Sequence, residues 1–354
     1  MASTPYDSYP PAQFWNSAAS SPDLALIDFD FGKKFSFTAS DQFATSGSCF
    51  AQHFGRQLMA RGGKVMFAET KHPLIPASYG HGYDVFSARY GNIYTTRQLL
   101  ELLQQATGRR APVFEFALRA DGRIVDMCRP RAVPAGFASV EEAEADRRYH
   151  LLAVQALLQQ LDVFVFTLGL TESWYHAAGD YCYPVVPGAA AGVFAPDLHK
   201  FVNFSTSQIV ADLHAIADII TAANPTARIL LTVSPVSLVA TAESRSAVVS
   251  TVASKSILRA AVDEVSRQLA CVDYFPSYEI ITGPMSRGRF WERNCRDVTA
   301  DGVSTVMDIF FRSRFTTQDL TAPAPVPEAQ HDVDAAIEQL LNAECDEMLL
   351  DRFR

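Results

Sequence analysis

A chain of 354 residues exceeds the usual size of one domain, but a single α/β domain with insertions can use most of it and bury a large core. A formal net charge of -9 and a pI near 5.4 exclude a phosphate-binding surface spread over the protein, so nucleic acid is not an expected partner. The six cysteines, Cys49, Cys128, Cys182, Cys271, Cys295 and Cys345, form no C-x-x-C pair and stand at no finger-like spacing to histidine, which disfavours a zinc ribbon or a disulfide framework.

The opening MASTPYDSYPPAQFW lacks the basic patch and apolar run of a secretory signal, and no later stretch reaches about eighteen uninterrupted apolar residues. A soluble, cytoplasmic protein with no membrane partner is the expectation. Residues 1–24 are rich in Ser, Pro and aromatics without period and read as an extended arm; the arm as a whole is placed at 1–40 and the α/β domain at 41–320. FATSG (43–47) reads as a strand entering a tight turn, KVMFA (64–68) as a second strand and TTRQLLELLQQA (95–106) as an amphipathic helix. A hairpin is expected around Ala120, Asp121 and Gly122.

Ser139-Val-Glu-Glu142 has the form of a capping box opening a helix to about 160, and LDVFVFTL (161–168) is a strand rich enough in Val and Phe to be covered on both faces. A helix over 207–224, a strand over 227–236, a helix over 256–270 and a last helix over 301–311 follow. Residues 321–330 read as a linker and those after them as a C-terminal amphipathic helix, packed on the domain or on a neighbouring subunit in a homo-oligomer. Helix and strand in alternation imply a parallel sheet with helices on both faces, and ligands in that architecture sit outside the carboxyl ends of the strands. TSGSCF, TLGLTESW, TVSPVSL and DYFPSYE are therefore the segments where a site belongs.

Gly47-Ser48-Cys49 lets the backbone bend sharply into a helix whose first N–H groups are unpaired and whose dipole is positive there. That suits a nucleophile and the oxyanion it generates, and it lowers the pKa of a thiol that water can reach. His53, four residues after Cys49, shares its helix face. Small residues at such a turn also serve plain helix–sheet packing, with Phe50, Phe54 and Leu58 marking a buried stripe. Gly169 permits backbone approach, while Thr171 and Glu172 can supply a hydrogen bond and an acid/base or orienting carboxylate; capping of a short turn by Glu172 is the plain alternative. Gly91 and Asn92 can donate to an oxyanion, or Asn92 can simply hold its own turn.

Gly47-Ser48-Cys49-Phe50-Ala51, FSARYGNIYTTRQLL (86–100), FTLGLTESW (166–174), LLTVSPV (230–236) and YFPSYEI (274–280) together resemble the GSCFA family, in order and over about residues 40–312. The family is grouped with the SGNH, or GDSL-like, hydrolases. The resemblance implies a three-layer α/β/α sandwich with a central, mostly parallel sheet of flavodoxin-like topology, and cleavage or transfer of acyl groups, often acetyl groups on carbohydrates. It puts Cys49 at the nucleophile position and Ser48 where an Asp usually stands; a slip of one residue makes Ser48 the nucleophile. Gly91 corresponds to the oxyanion glycine and Thr171 replaces the oxyanion asparagine, with Glu172 beside it. No metal or organic cofactor is implied, and the partner is a small-molecule or glycan acyl substrate.

The resemblance breaks at the D-x-x-H block, which reads Asp297-Val298-Thr299-Ala300, with alanine in place of histidine. Between His214 and His331 there is no histidine. Either a cysteine thiolate works with a base from elsewhere, His53 being local and Glu172 or Asp297 orienting it, or the chain is a non-catalytic glycan-binding or scaffold protein that keeps the cleft. An altered Ala300 is the third reading, against which Asp301-Gly302 reads as a natural helix start.

Overall fold

The structure is a computed structural model describing residues 4–19, 21, 23–71, 73–74, 83, 85–315 and 350; of residues 25, 49 and 50 it describes the backbone alone. The first forty residues are not extended as predicted: short 3-10 turns at Pro5–Ser8, Pro11–Gln13 and Leu24–Leu26 and a one-turn helix α1 (Trp15–Ala18) break them up. Proline at the head of the first two turns fixes φ and favours such bends.

There follow β1 (Gln42–Gly47), α2 (Cys49–Ala60), β2 (Lys64–Val65), α3 (Thr96–Ala106), the hairpin β3 (Phe116–Leu118) and β4 (Ile124–Asp126), α4 (Val140–Gln160) and β5 (Val163–Leu168). Then come β6 (Glu172–His176), β7 (Tyr181–Tyr183), β8 (His199–Asn203), α5 (Thr206–Ala223) and β9 (Arg228–Val233). Last are α6 (Ala247–Gln268), β10 (Val272–Tyr274), α7 (Ser277–Thr282) and α8 (Ala300–Arg314).

Five strands form one parallel sheet in the order β2-β1-β5-β9-β10. Counted along the chain within that sheet the order is 2-1-3-4-5, the flavodoxin-like winding, whose direction reverses between β1 and β5. β6, β7 and β8 make a separate antiparallel sheet.

Alternation along β5 explains why every residue of it is buried. Phe164, Phe166 and Leu168 pack with α3, α4, α5 and α6, whereas Val163 and Val165 face the other way, toward α2, α7, α8 and Leu24, Ile27 and Phe37. Helices thus cover both faces. Among the described residues no helix is long and apolar enough to cross a membrane.

Several boundaries differ from the sequence reading. β2 stops at Val65, and β9 at Val233, where Ser234 turns the chain by accepting the Val236 N–H and Pro235 has no N–H to continue a ladder. Only half of the expected capping box forms: the Ser139 hydroxyl accepts from Glu142 N, but the Glu142 carboxylate accepts from Ala138 N instead of Ser139 N. α6 begins at Ala247, not at 256, behind Ser246 as N-cap. Its first half, AVVSTVASK, is rich in β-branched residues and reads weakly as helix, yet Ser250, Ser254 and Lys255 are buried there, so packing overrides propensity. The expected linker and C-terminal helix lie outside the described residues, Leu350 excepted.

Candidate functional site at the reversal of the sheet

β1 and β5 are neighbours, and the winding reverses between their carboxyl ends, the place where ligands sit in this architecture. Gly47 pairs with Thr167 there at φ +138. A methyl group on Gly47 would stand 2.5 Å from the Thr167 carbonyl oxygen, so glycine is the one residue that fits.

Ser48 occupies the N-cap position of α2 with extended backbone, yet its hydroxyl does not cap the helix. A serine there ordinarily accepts an N–H from the first turn. Here the Oγ atom is buried and has no hydrogen-bond partner among the described residues, as is also true of Ser46 Oγ on β1, Thr167 Oγ1 on β5 and Gln52 Oε1 on α2. A buried hydroxyl without a partner costs free energy, and the local turn offers Ser48 no compensation for it.

The segment after Gly91 (φ +70) crosses this edge. Ile93 N donates to Gly47 O at 2.9 Å, and Tyr94 O accepts from Gly169 N at 3.1 Å and Leu170 N at 2.8 Å. Gln98, in the first turn of α3, accepts from Tyr94 N and donates to Asn92 O, and Thr95 caps the helix. Asn92 Oδ1 accepts from Gln52 Nε2 of α2 at 3.4 Å. A Cβ built on Gly169 would lie 3.6 Å from Ser48 Cβ and 3.2 Å from Tyr94 O, so Gly47, Ser48, the 91–94 segment and Gly169 meet at one point.

The remaining predicted residues lie elsewhere or are otherwise engaged. Thr171 N and Oγ1 are both 3.1 Å from Ser254 Oγ. Glu172 accepts from Thr241 Oγ1 at 2.7 Å and from Ala242 N, and burial raises its pKa above the usual carboxylate range despite those bonds. It lines an apolar cleft of about 190 Å³ with Leu170, Trp174, Val185, Phe201 and Leu238, which starts one residue beyond Gly169. Asp297 closes a local turn through Asn294 Nδ2 and Arg296 Nη1.

His53 is held down to about 4 by burial and by Arg56, and is neutral at pH 7. The side chain of Cys49 lies outside the described residues, and the Cys49–His53 pairing with it. His72, His81 and His331 are also outside them. Since Ser48 Oγ has no partner, none of the described imidazoles is within hydrogen-bond reach of it.

Three residues at this edge escaped the sequence reading: Gln52, Ser254 and Lys255. Lys255 is 1% exposed, and its Nζ donates to Gly169 O at 2.6 Å. Placing the start of α6 at 256 had left it outside any element. The signal was a lysine three residues before Leu258, on the stripe that continues through Ala261, Val262 and Val265.

The profile of the GSCFA family matches residues 42–310, a span that contains the whole parallel sheet and every residue named at this edge. No curated protein and no solved structure matches the chain.

Proposed function

The chain belongs to the GSCFA family, and from that premise we propose that it is an acyl hydrolase or acyltransferase of the SGNH type, with its nucleophile on the Ser48–Cys49 turn. The observation that carries the reading is the Ser48 hydroxyl, buried at the reversal of the sheet, in N-cap position and without a hydrogen-bond partner among the described residues. A side chain that declines its local bond is available to a substrate carbonyl. α2 opens at this turn, and the N–H groups that begin a helix, apart from Ala51 N, which donates to Ser48 O, suit the charge of an oxyanion; Asn92, bonded by Gln52 of the same helix, is a further donor.

In this mechanism Ser48 or its neighbour Cys49 attacks an ester or thioester carbonyl, the helix N–H groups take the charge on oxygen, and an acyl-enzyme passes its acyl group to water or to a second hydroxyl. The apolar cleft that begins at Leu170 supports an acyl chain or the flat face of a sugar lying against Trp174. A carbohydrate-linked acyl group is the substrate class we favour, by analogy with the SGNH enzymes.

Turnover of p-nitrophenyl acetate by the wild type, Ser48→Ala and Cys49→Ala tests the reading. We expect saturable turnover in the wild type and a loss of at least about 100-fold in kcat for one substitution, which names the nucleophile. Unsaturable, equal rates in all three, with glycan binding intact, would mean a cleft that binds and does not react.

A further inference from the structure

Ala300 stands at the D-x-x-H histidine position, and among the described residues neither an imidazole nor any other base is in hydrogen-bond contact with Ser48 Oγ. A different base lies close by, on α6. Lys255 lies in the middle of α6 on a face otherwise made of Ser250, Ser254, Leu258, Ala261, Val262 and Val265. Its Nζ reaches the Gly169 carbonyl at 2.6 Å, and Gly169 itself packs against Ser48, whose Cβ a methyl group on the glycine would meet at 3.6 Å. Ser254, next to it, holds Thr171 N and Oγ1. α6 thus grips the segment after β5 from one side while the nucleophile turn meets it from the other.

We propose that Lys255 is the general base of the reaction, an inference that rests on the acyl-transfer reading above. A lysine buried to 1% at the carboxyl end of the sheet, its Nζ on the carbonyl of the glycine that packs against Ser48, is placed for work on that turn. Removal from water disfavours an ammonium relative to the neutral amine, and an amine that has lost its proton keeps N–H groups for Gly169 O and a lone pair for the nucleophile. Pairs of serine and lysine carry out acyl transfer without histidine on other folds.

The proton balance closes. As the nucleophile's oxygen or sulfur bonds to the carbonyl carbon, its proton passes to Nζ and the carbonyl π pair moves onto oxygen. On collapse the bond to the leaving group breaks, and the departing oxygen or sulfur takes the proton from Nζ. Deacylation runs the same way: water or an acceptor hydroxyl gives its proton to Nζ and receives the acyl group, and the nucleophile regains the proton.

The test uses the full chain as wild type, Lys255→Met, Lys255→Arg and Lys255→Ala, with thermal melts to establish folding. The readouts are the pH profile of kcat for p-nitrophenyl acetate and the response of Lys255→Ala to added methylamine. We expect the methionine variant to lose about 100-fold or more in kcat and to lose the acidic limb of the profile, as removal of a general base does. Arginine, which keeps its proton, should fold and remain equally slow. Methylamine should restore part of the alanine variant's rate in proportion to the free amine, an effect no purely structural lysine would show. A folded methionine or arginine variant within about threefold of the wild type, with the acidic limb unmoved, would overturn the role of Lys255 and leave the nucleophile standing. A wild type with no saturable turnover would instead overturn the acyl-transfer reading, and this inference with it.

Discussion

Gly47 shows how narrowly the site is fitted at the scale of one residue. It lies in the left-handed half of φ space at +138, and its hydrogen faces the Thr167 carbonyl, where a methyl group would stand at 2.5 Å. Two costs therefore combine in Gly47→Ala: backbone strain and the displacement of β5 from β1. We expect the midpoint of urea unfolding to fall by the equivalent of at least about 2 kcal/mol, and kcat to fall more than stability predicts because Ser48 moves with its neighbour. The need for glycine was legible in the sequence as a tight strand-to-helix turn. That the adjacent serine would leave its cap unmade was not, because a hydroxyl's choice of partner depends on where Gly169 and the 91–94 segment arrive from distant parts of the chain.

At the scale of elements, strands and helices whose apolar pattern was strong were read closely, and α6 was not. β5, all Val, Phe and Leu around one threonine, and α3, with its Thr95 cap, lie where periodicity put them. AVVSTVASK has weak helical propensity and predicts a helix only from 256, whereas Ser254 and Lys255 are held by bonds to the segment after β5 and Ser250 by Arg245. The misread boundary hid the lysine. A similar limit applies at the other end of the molecule, where Arg314, fully buried at the end of α8, pairs with Asp30 and Asp273 and so ties the first residues to β10. Neither carboxylate is marked by local sequence as its partner. Glu172 and Asp297, chosen for their chemistry, prove to be bonded within their own neighbourhoods, to Thr241 and to Asn294 and Arg296.

For the whole molecule, two histidines, His150 fully buried and His53 half-buried, contribute to the response to acid. Burial holds His150 down to about 4, and its Nδ1 bonds Glu69 at 2.7 Å while Nε2 has no partner among the described residues. His53 is held at about 4 as well. The unfolded chain, with imidazoles near 6.5, takes up these protons first. Stability from both groups is therefore complete above about pH 6.5 and is lost as the pH falls through 4. A calorimetric series should show Tm declining across that window, and His150→Gln, which keeps a neutral donor for Glu69, should make the decline shallower. An unchanged slope in that variant would remove His150 from the account.

The proposed reaction passes through a covalent step at one turn of the chain, and trapping that step tests it most directly. Native protein mixed with p-nitrophenyl acetate, quenched in acid within the first turnover and analysed by intact mass and peptide mapping, should carry one acetyl group, on Ser48 or Cys49, that disappears as the substrate is exhausted. Acetylation spread over surface lysines with none on that turn, or no adduct at all, would contradict it.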